Sequence, residues 1–329
     1  MKDFRTVIHP PKSDWKINHH SNVFLMGSCF TENMYQKLNY FKINTLINPF
    51  GIVYNPSSIA VQLSHIINQH VFQEEDLSFH NNRWFSFLHH SDFSDFDKKN
   101  CLKQMNDSIN QSHSFIKNCD VIFITYGTSW VYNHIETKKI VANCHKLPSK
   151  YFIKRILSIV DVINNTENII QTIRKLNTKT KIVITISPIR HWHDGFHENI
   201  LSKSTLFLGI QDFVNQRLLN YFPSYEIMMD DLRDYRFYAD DMLHLSTLAK
   251  DYIWEKFTDT YFDDKTIGIC KEFEKITMAI NHKPFNSKSE DYIQFCKNNL
   301  EEISKLESKY YYVNLSKEKQ YFLDKITMV

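Results

Sequence analysis

Glycine is scarce in this chain, with 6 among 329 residues. Tight turns and close backbone approaches depend on glycine, so Gly27, Gly51 and Gly127 each call for a reason. Cysteine is dispersed: Cys29, Cys101, Cys119, Cys144, Cys270 and Cys296 include no C-x-x-C pair, which argues against a zinc ribbon or a thioredoxin-type site. The Cys144-His145 pair has no further ligands at zinc spacing, so no metal and no cofactor are expected. An excess of charge is missing too. A formal net charge of +2 is not the basic balance that nucleic-acid binding uses. There is no apolar run of about 18 residues, so no membrane span is expected. Met1 to Asp14 is polar and lacks the apolar stretch of a signal peptide, which makes a cytoplasmic protein with reduced thiols the expectation. What is present is apolar mass: 43% hydrophobic and 14% aromatic residues suffice for a sizeable core. The length suits one large α/β domain with an appendage, or two domains.

The stretch from Val23 to Glu32 organises the rest. Val23-Phe24-Leu25-Met26 reads as a buried strand, Gly27 permits a tight turn, and Ser28 or Thr31 is placed to cap a helix beginning near Phe30. Ser28 and Cys29 would then stand beside unpaired helix N–H groups, where the positive end of the helix dipole favours an anion. That suits acyl-transfer chemistry, although a capping Ser28 and a small buried Cys29 would have the same sequence.

Further along, Ile43 to Ile47 is a second candidate strand, followed by a loop with Pro49 and Pro56 and a helix through Ile59, Leu63, Ile66 and Ile67. Residues 70–100 form an excursion with short strands around Trp84 to Leu88, and residues 101–118 look helical. Asp120 to Trp130 repeats the opening pattern and predicts a central parallel strand ending in a functional loop. A long amphipathic helix is predicted over 151–176, a strand over Lys181 to Pro188, a helix over 202–221, a last strand over Tyr225 to Asp230, and a closing helix over 246–262. Strands alternating with helices of this length predict an α/β fold built on a doubly wound parallel sheet. Its ligand crevice should lie beyond the carboxyl ends of the strands. From about residue 265 the chain turns Lys- and Glu-rich and reads as a peripheral helical tail.

Four segments fall at those strand ends: Gly27–Cys29, Gly127–Ser129, Ser187–His191 and the loop carrying Asp241 and His244. Asp241-x-x-His244 is the pattern of a base whose tautomer is held by a carboxylate, with Asp240 fitting the spacing less well. Gly51 and the Gly127-Thr128-Ser129 turn are candidates for an oxyanion hole, where backbone N–H groups meet developing negative charge. Thr128, Asn143, His145 and Lys146 form a polar set suited to binding substrate. Arg190 and His191 can bind a carboxylate or phosphate, or else pair structurally.

Taken together, six ordered blocks resemble the GSCFA family, which is grouped with the SGNH/GDSL hydrolases. They are Gly27 to Thr31, Asn48 to Pro56, Tyr126 to Tyr132, Asn143 to Lys146, Ser187 to His191 and Asp241 to His244. Thr31 stands where the name-giving motif has Ala. The resemblance spans roughly residues 20–262. It implies a three-layer α/β/α, flavodoxin-like SGNH-hydrolase domain over residues 1–262, with 263–329 as a helical extension. It also implies an esterase or acyltransferase acting on an ester, such as an O-acetyl group of a small molecule or glycan, through a covalent acyl-enzyme. Register on Gly27 places Ser28 at the Asp position of the SGNH pattern's Gly-Asp-Ser block and Cys29 at its nucleophile position. Gly51 matches the second-block glycine, Ser129 stands where an oxyanion Asn is usual, and Asp241 and His244 keep the last block. The nucleophile is therefore Cys29 or Ser28, with physics leaning to the thiol because the thiolate is its reactive form. The rival expectation is a non-catalytic binding module on the same fold, for an acylated glycan or small metabolite. A scaffold using the tail to bind partners has no motif behind it, and the oligomeric state is not legible.

Overall fold

Short apolar runs, too brief for helices, make the central sheet. The computed structural model describes residues 5–327 and opens with β1 (Asn22–Gly27), α1 (Cys29–Tyr40), β2 (Asn44–Ile47) and α2 (Pro56–Ile67). A hairpin of β3 (Ser78–His80) and β4 (Arg83–Phe85), then α3 (Lys98–Lys117), lead to β5 (Val121–Tyr126). β6 (Trp130–His134), β7 (Ile140–Val141) and β8 (Phe152–Ile156) precede α4 (Ile159–Leu176), β9 (Lys181–Ile186), α5 (Phe196–Asn215) and β10 (Asn220–Tyr221). The chain closes with α6 (Ser224–Glu226), α7 (Thr247–Tyr261), α8 (Asp264–Asn281), α9 (Glu290–Lys309) and α10 (Ser316–Thr327). No helix among the described residues is long and apolar enough to cross a membrane.

The expected mixed α/β architecture is present, with a five-stranded sheet in the order β10-β9-β5-β1-β2. The pairs β10–β9, β9–β5 and β5–β1 are all parallel, and β5 pairs on both sides as a central strand. Its three inner strands, β1, β5 and β9, are buried on both faces. Phe24, Met26, Ile122, Ile124, Tyr126, Ile182, Ile184 and Ile186 join the core beneath α2, α3, α4 and α5. The alternate residue Phe123 points the other way and meets Phe257 of α7 with ring centroids 5.7 Å apart. Such two-sided burial makes parallel strands read as continuous apolar runs.

By contact density the chain forms two units. One comprises Asn22–Tyr35 and Thr45–Phe257 with the N-terminal segment through Pro11, and it holds the sheet. The other comprises Lys12–Ser21, Gln36–Asn44 and the chain from Thr258 onward. Within the second unit, Ile269, Phe273, Cys296, Ile303, Leu306 and Phe322 belong to a core of their own. Trp15 stacks on Tyr261 at 5.0 Å in the same unit.

Three expectations require correction. The segment 151–158 is not the start of the long helix: Phe152–Ile156 pairs antiparallel with β6 as β8. The helix begins only after Ser158, whose side chain accepts the Asp161 N–H while Asp161 accepts the Ser158 N–H, a reciprocal cap that sets the start. The helix expected over 202–221 runs instead over Phe196–Asn215. The last strand is the two-residue β10, not Tyr225 to Asp230. Phe222 N–H still donates to Ile184 O at 3.0 Å, but Pro223 follows and has no N–H to extend the ladder. The chain then winds across the sheet end as α6 and a π-turn over Ile227–Asp231. The side chain of Ser224 closes that end by donating to Ile186 O at 2.9 Å.

Candidate functional site

At the carboxyl end of β1 the backbone turns sharply into α1. Gly27 has φ +143°, and a Cβ there would lie 2.3 Å from Thr125 O, so only glycine fits between β1 and β5. The turn is fastened from the other side by Asn48, whose Oδ1 accepts the Gly27 N–H at 2.8 Å. Neither expected cap forms. Thr31 Oγ1 donates to Thr125 Oγ1 at 2.8 Å, and Ser28 Oγ is buried with no partner among the described residues. Neither Ser28 nor Thr31 therefore caps the first turn of α1 with its side chain, and the N–H groups of Cys29 and Phe30 favour the Cys29 thiolate.

The two nucleophile candidates thus differ in setting. Ser28 is 1% exposed and faces Gly127, whose added Cβ would meet Ser28 Cβ at 3.3 Å. Cys29 is half-buried and free. Burial, and after it the Glu32 carboxylate one helical turn on, push its thiol up to about 11. The Cys29 and Phe30 amides and the Lys203 ammonium pull in the opposite direction. Tyr54 belongs to the same neighbourhood: burial, then Cys29 and Glu32, push its phenol up to about 12.

Lys203 escaped sequence reasoning. It lies on α5 and is 2% exposed, with Nζ donating to Gly127 O at 2.8 Å and Ser187 O at 2.7 Å. The ammonium thereby ties together the carboxyl ends of β5 and β9. Desolvation lowers its pKa to about 7, with Cys29 opposing that shift and Arg190 reinforcing it. Next to it, Ser202 Oγ accepts the Ser129 N–H at 2.8 Å. The clue in the sequence was position: Lys203 shares one apolar helical stripe with Leu206, Ile210 and Phe213, all buried.

His244 stands on a tightly closed loop. Ala239 N–H donates to His244 O at 2.8 Å, and Tyr238 bridges Leu245 antiparallel. Asp241 Oδ1 accepts the backbone N–H groups of Leu243 (2.9 Å) and His244 (2.8 Å), while its Oδ2 meets His244 Nδ1 at 2.6 Å. Bonding to the His244 side chain and then to these amides holds the Asp241 carboxyl well below the usual carboxylate range. A carboxylate on Nδ1 keeps the proton there and leaves Nε2 as the basic nitrogen. The spacing foresaw Asp241, not Asp240, as this partner.

No hydrogen bond joins His244 to Cys29 or Ser28 among the described residues. A chain of rings connects their neighbourhoods: His244 meets His191 edge-on at 6.3 Å, and His191 meets Tyr54 edge-on at 6.1 Å. Burial, then Lys203 and His244, hold His191 below its ordinary value. Arg190 is half-buried, its Nε 3.5 Å from Asn199 Oδ1. It lines a cavity of about 290 Å³ with Trp192, Asn199, Met228, Tyr238 and Leu243.

The other candidates are engaged elsewhere. Gly51 N–H donates to Asn48 O at 2.7 Å, and Gly127 and Thr128 N–H both donate to Tyr54 O at 2.7 and 3.0 Å. Thr128 Oγ1 lies 2.9 Å from Ser202 Oγ, and Ser129 Oγ donates to Ser202 O at 3.1 Å. Asn143 Oδ1 accepts the His145 N–H at 2.8 Å, and His145 Nε2 donates to Ser86 O at 3.0 Å while its ring packs 4.1 Å from Phe85. Burial holds the His145 imidazole down to about 4. Lys146 is exposed. The amides of Gly51 and Ser129, the expected oxyanion donors, are thus both engaged within the protein, by Asn48 O and Ser202 Oγ.

Comparison with known proteins gives two family matches. The model of the GSCFA family matches residues 22–257. That of the GSCFA domain protein, C-terminal domain, matches residues 273–327. No curated protein matches the chain.

Proposed function

The chain belongs to the GSCFA family, and on that premise we propose that it is an SGNH-like esterase or acyltransferase that works through a thioester on Cys29. The observation that carries this reading is the Asp241–His244 pair, with one carboxylate holding both the ring nitrogen and the backbone of the same loop. An imidazole so oriented is a general base in waiting. The half-buried Cys29 at the uncapped head of α1 supports its role as nucleophile, and the buried, unpartnered hydroxyl of Ser28 argues against the serine.

In the proposed acylation, Sγ bonds to the ester carbonyl carbon while the thiol proton passes to His244 Nε2. The carbonyl oxygen gains negative charge facing the Cys29 and Phe30 amides. As the C–O bond breaks, the leaving alkoxide takes the proton from His244. Water or an acceptor alcohol then repeats the sequence on the thioester. Thiol and imidazole meet in the substrate complex, since resting sites commonly tighten only on binding. The cavity lined by Arg190 holds the remainder of the substrate. Its methionine and aromatic walls suit an apolar group, and the Arg190 guanidinium suits a carboxylate or phosphate on it.

A panel of p-nitrophenyl esters tests the scheme on wild type, Cys29→Ala, Ser28→Ala and His244→Ala. Cys29→Ala and His244→Ala should each lose about 10²-fold or more in kcat/KM, with Ser28→Ala near wild type. Loss of activity in Ser28→Ala with full activity in Cys29→Ala would reverse the nucleophile, and indifference to His244→Ala would remove the base. A binding module on the same fold has one observation in its favour, the high thiol pKa of Cys29. Failure of both iodoacetamide and fluorophosphonate to label the site would support that second reading.

A further inference from the structure

A second and larger cavity lies within the sheet-bearing unit, bounded by α2, the β3–β4 excursion, the β6–β7–β8 sheet and the start of α4. Its volume is about 1220 Å³, against about 290 Å³ for the Arg190 cavity. That exceeds the range of about 300–1,000 Å³ usual where a site closes round one small molecule, so it has room for an extended ligand. None of its lining residues belongs to the Cys29 and His244 set. Its walls are fastened by the fold itself: Gln62 Nε2 donates to Leu88 O at 2.6 Å, Ala142 N–H to Phe87 O at 2.8 Å, and His145 Nε2 to Ser86 O at 3.0 Å. Two features of the lining point to a ligand rather than to loose packing. Ser58 lines the cavity at 2% exposure, and its Oγ has no partner among the described residues. A buried hydroxyl left unpaired costs the fold its desolvation and returns nothing unless something in the cavity bonds to it. The rings of Phe79 and Tyr151 also line the cavity, 54% and 42% exposed, apolar surface that the fold has left uncovered.

We propose that this cavity is a second binding site, for a neutral oligosaccharide, separate from the acyl-transfer site and independent of that reading. A sugar ring has an apolar C–H face and a rim of hydroxyls. The C–H face suits the electron-rich faces of Phe79 and Tyr151. The hydroxyls suit Ser58 Oγ and the exposed Asn164 amide on the α4 wall, which offers both donors and acceptors. Charge decides against an ionic ligand. Asp161 already accepts the Ser158 N–H at 2.9 Å and Arg155 Nη1 at 3.3 Å. Asp76 accepts the Gln73 N–H at 2.8 Å and lies 3.7 Å from His70 Nε2. The remaining Asp, Glu, Lys and Arg side chains of the lining are Glu75 and Glu136 against Lys138 and Lys139, none of them in an ion pair among the described residues. Equal numbers of each sign leave no net field to draw an anion or a cation. A polypeptide in a groove is commonly fixed through its backbone by an open sheet edge. Here the wall's edge strand, β7, is two residues long, and just beyond it the Ala142 and Asn143 N–H groups already donate to Phe87 O. Side chains, not a strand edge, are what the cavity presents.

Isothermal titration of the full chain tests the site with maltohexaose, cellohexaose and hexa-N-acetylchitohexaose. A heparin-derived hexasaccharide serves as the anionic comparison and a pool of short peptides as the polypeptide one. At least one neutral hexasaccharide should bind with a Kd below about 1 mM. Phe79→Ala and Tyr151→Ala, both at exposed rings, should each weaken it about three- to tenfold. Ser58→Ala should weaken it to a similar degree, about three- to tenfold, while melting no lower than wild type, because no described group bonds to its Oγ. Phe196→Ala, in the Arg190 cavity, should bind the sugar as wild type does. Failure of all three neutral sugars to bind would overturn the proposal, as would preference for the heparin fragment or the peptides. Loss of sugar binding in Phe196→Ala, with Phe79→Ala and Tyr151→Ala unaffected, would move the sugar to the Arg190 cavity and overturn the second site. Should Ser58→Ala fail to fold, the two exposed rings carry the test alone. No ester enters these titrations. Lost esterase activity with sugar binding intact would fault the acyl-transfer reading alone, and absent sugar binding with activity intact would fault the second site alone.

Discussion

At Cys29 four influences compete. Burial and the Glu32 carboxylate favour the thiol, while the helix-start amides and the Lys203 ammonium favour the thiolate. Glu32 is itself held above the usual carboxylate range, by burial first and by Asp92 second. Removing that carboxylate takes away a repelling charge without touching the sulfur's hydrogen bonds. Glu32→Gln should therefore lower the thiol pKa and speed iodoacetamide alkylation at pH 8 by about three- to tenfold. An unchanged rate would mean that burial alone sets the thiol. The sequence placed Cys29 correctly at a strand end, but its charge neighbours were not legible there. Lys203 is 174 positions away, and only the packing of α5 across the ends of β5 and β9 brings it near.

Among the elements, the stretch around β4 shows how a polar set can be structural. Asn143 and His145 carry side chains suited to binding, and the sequence offers no way to tell which direction they face. The fold turns the His145 ring onto Phe85 and its Nε2 onto Ser86 O. Its pKa falls from the ordinary 6.5 to about 4 because burial disfavours the imidazolium. The unfolded chain therefore takes up this proton first, so stability is full above pH 6.5 and declines as pH falls toward 4. His145→Gln keeps an amide donor for Ser86 O and has no proton to gain. Urea unfolding at pH 7 and pH 4.5 should show the variant losing about 2 kcal/mol less than wild type, allowing for the partial exposure of the ring. Equal losses would place the acid sensitivity elsewhere, His89 being the next candidate because burial holds it well below its ordinary value. Other element errors have local causes that were legible: Ser158 and Asp161 spell a reciprocal cap, and Pro223 forbids a longer last strand.

For the whole molecule, the tail is more than an appended set of helices. Within the second unit His19 meets Phe273 at 5.4 Å, His20 meets Tyr312 at 4.0 Å, and Lys42 pairs with Glu318. Residues 12–21 and 36–44 thus find their partners beyond residue 258. Deleting 263–329 removes every residue of that unit's own core, which runs from Ile269 to Phe322. The shortened chain should melt at least about 5 °C lower by differential scanning fluorimetry. An unchanged melting temperature would mean that the N-terminal segments hold without the tail.

The sequence by itself determined the parallel pairing of the inner strands and the gathering of the candidate residues at their carboxyl ends. Both follow from local grammar: apolar runs of strand length, glycines where a turn must pass close to a neighbouring strand, and a carboxylate three residues before a histidine. Tertiary structure decided which of the gathered groups are available. It engaged the amides of Gly51 and Ser129, buried Ser28 Oγ without a partner among the described residues and drew a buried lysine onto the carbonyls of Gly127 and Ser187. The reason is physical. Strand and turn propensities act over a few residues, whereas hydrogen-bond allocation and the cost of burying a charge depend on groups that meet only after the chain has folded.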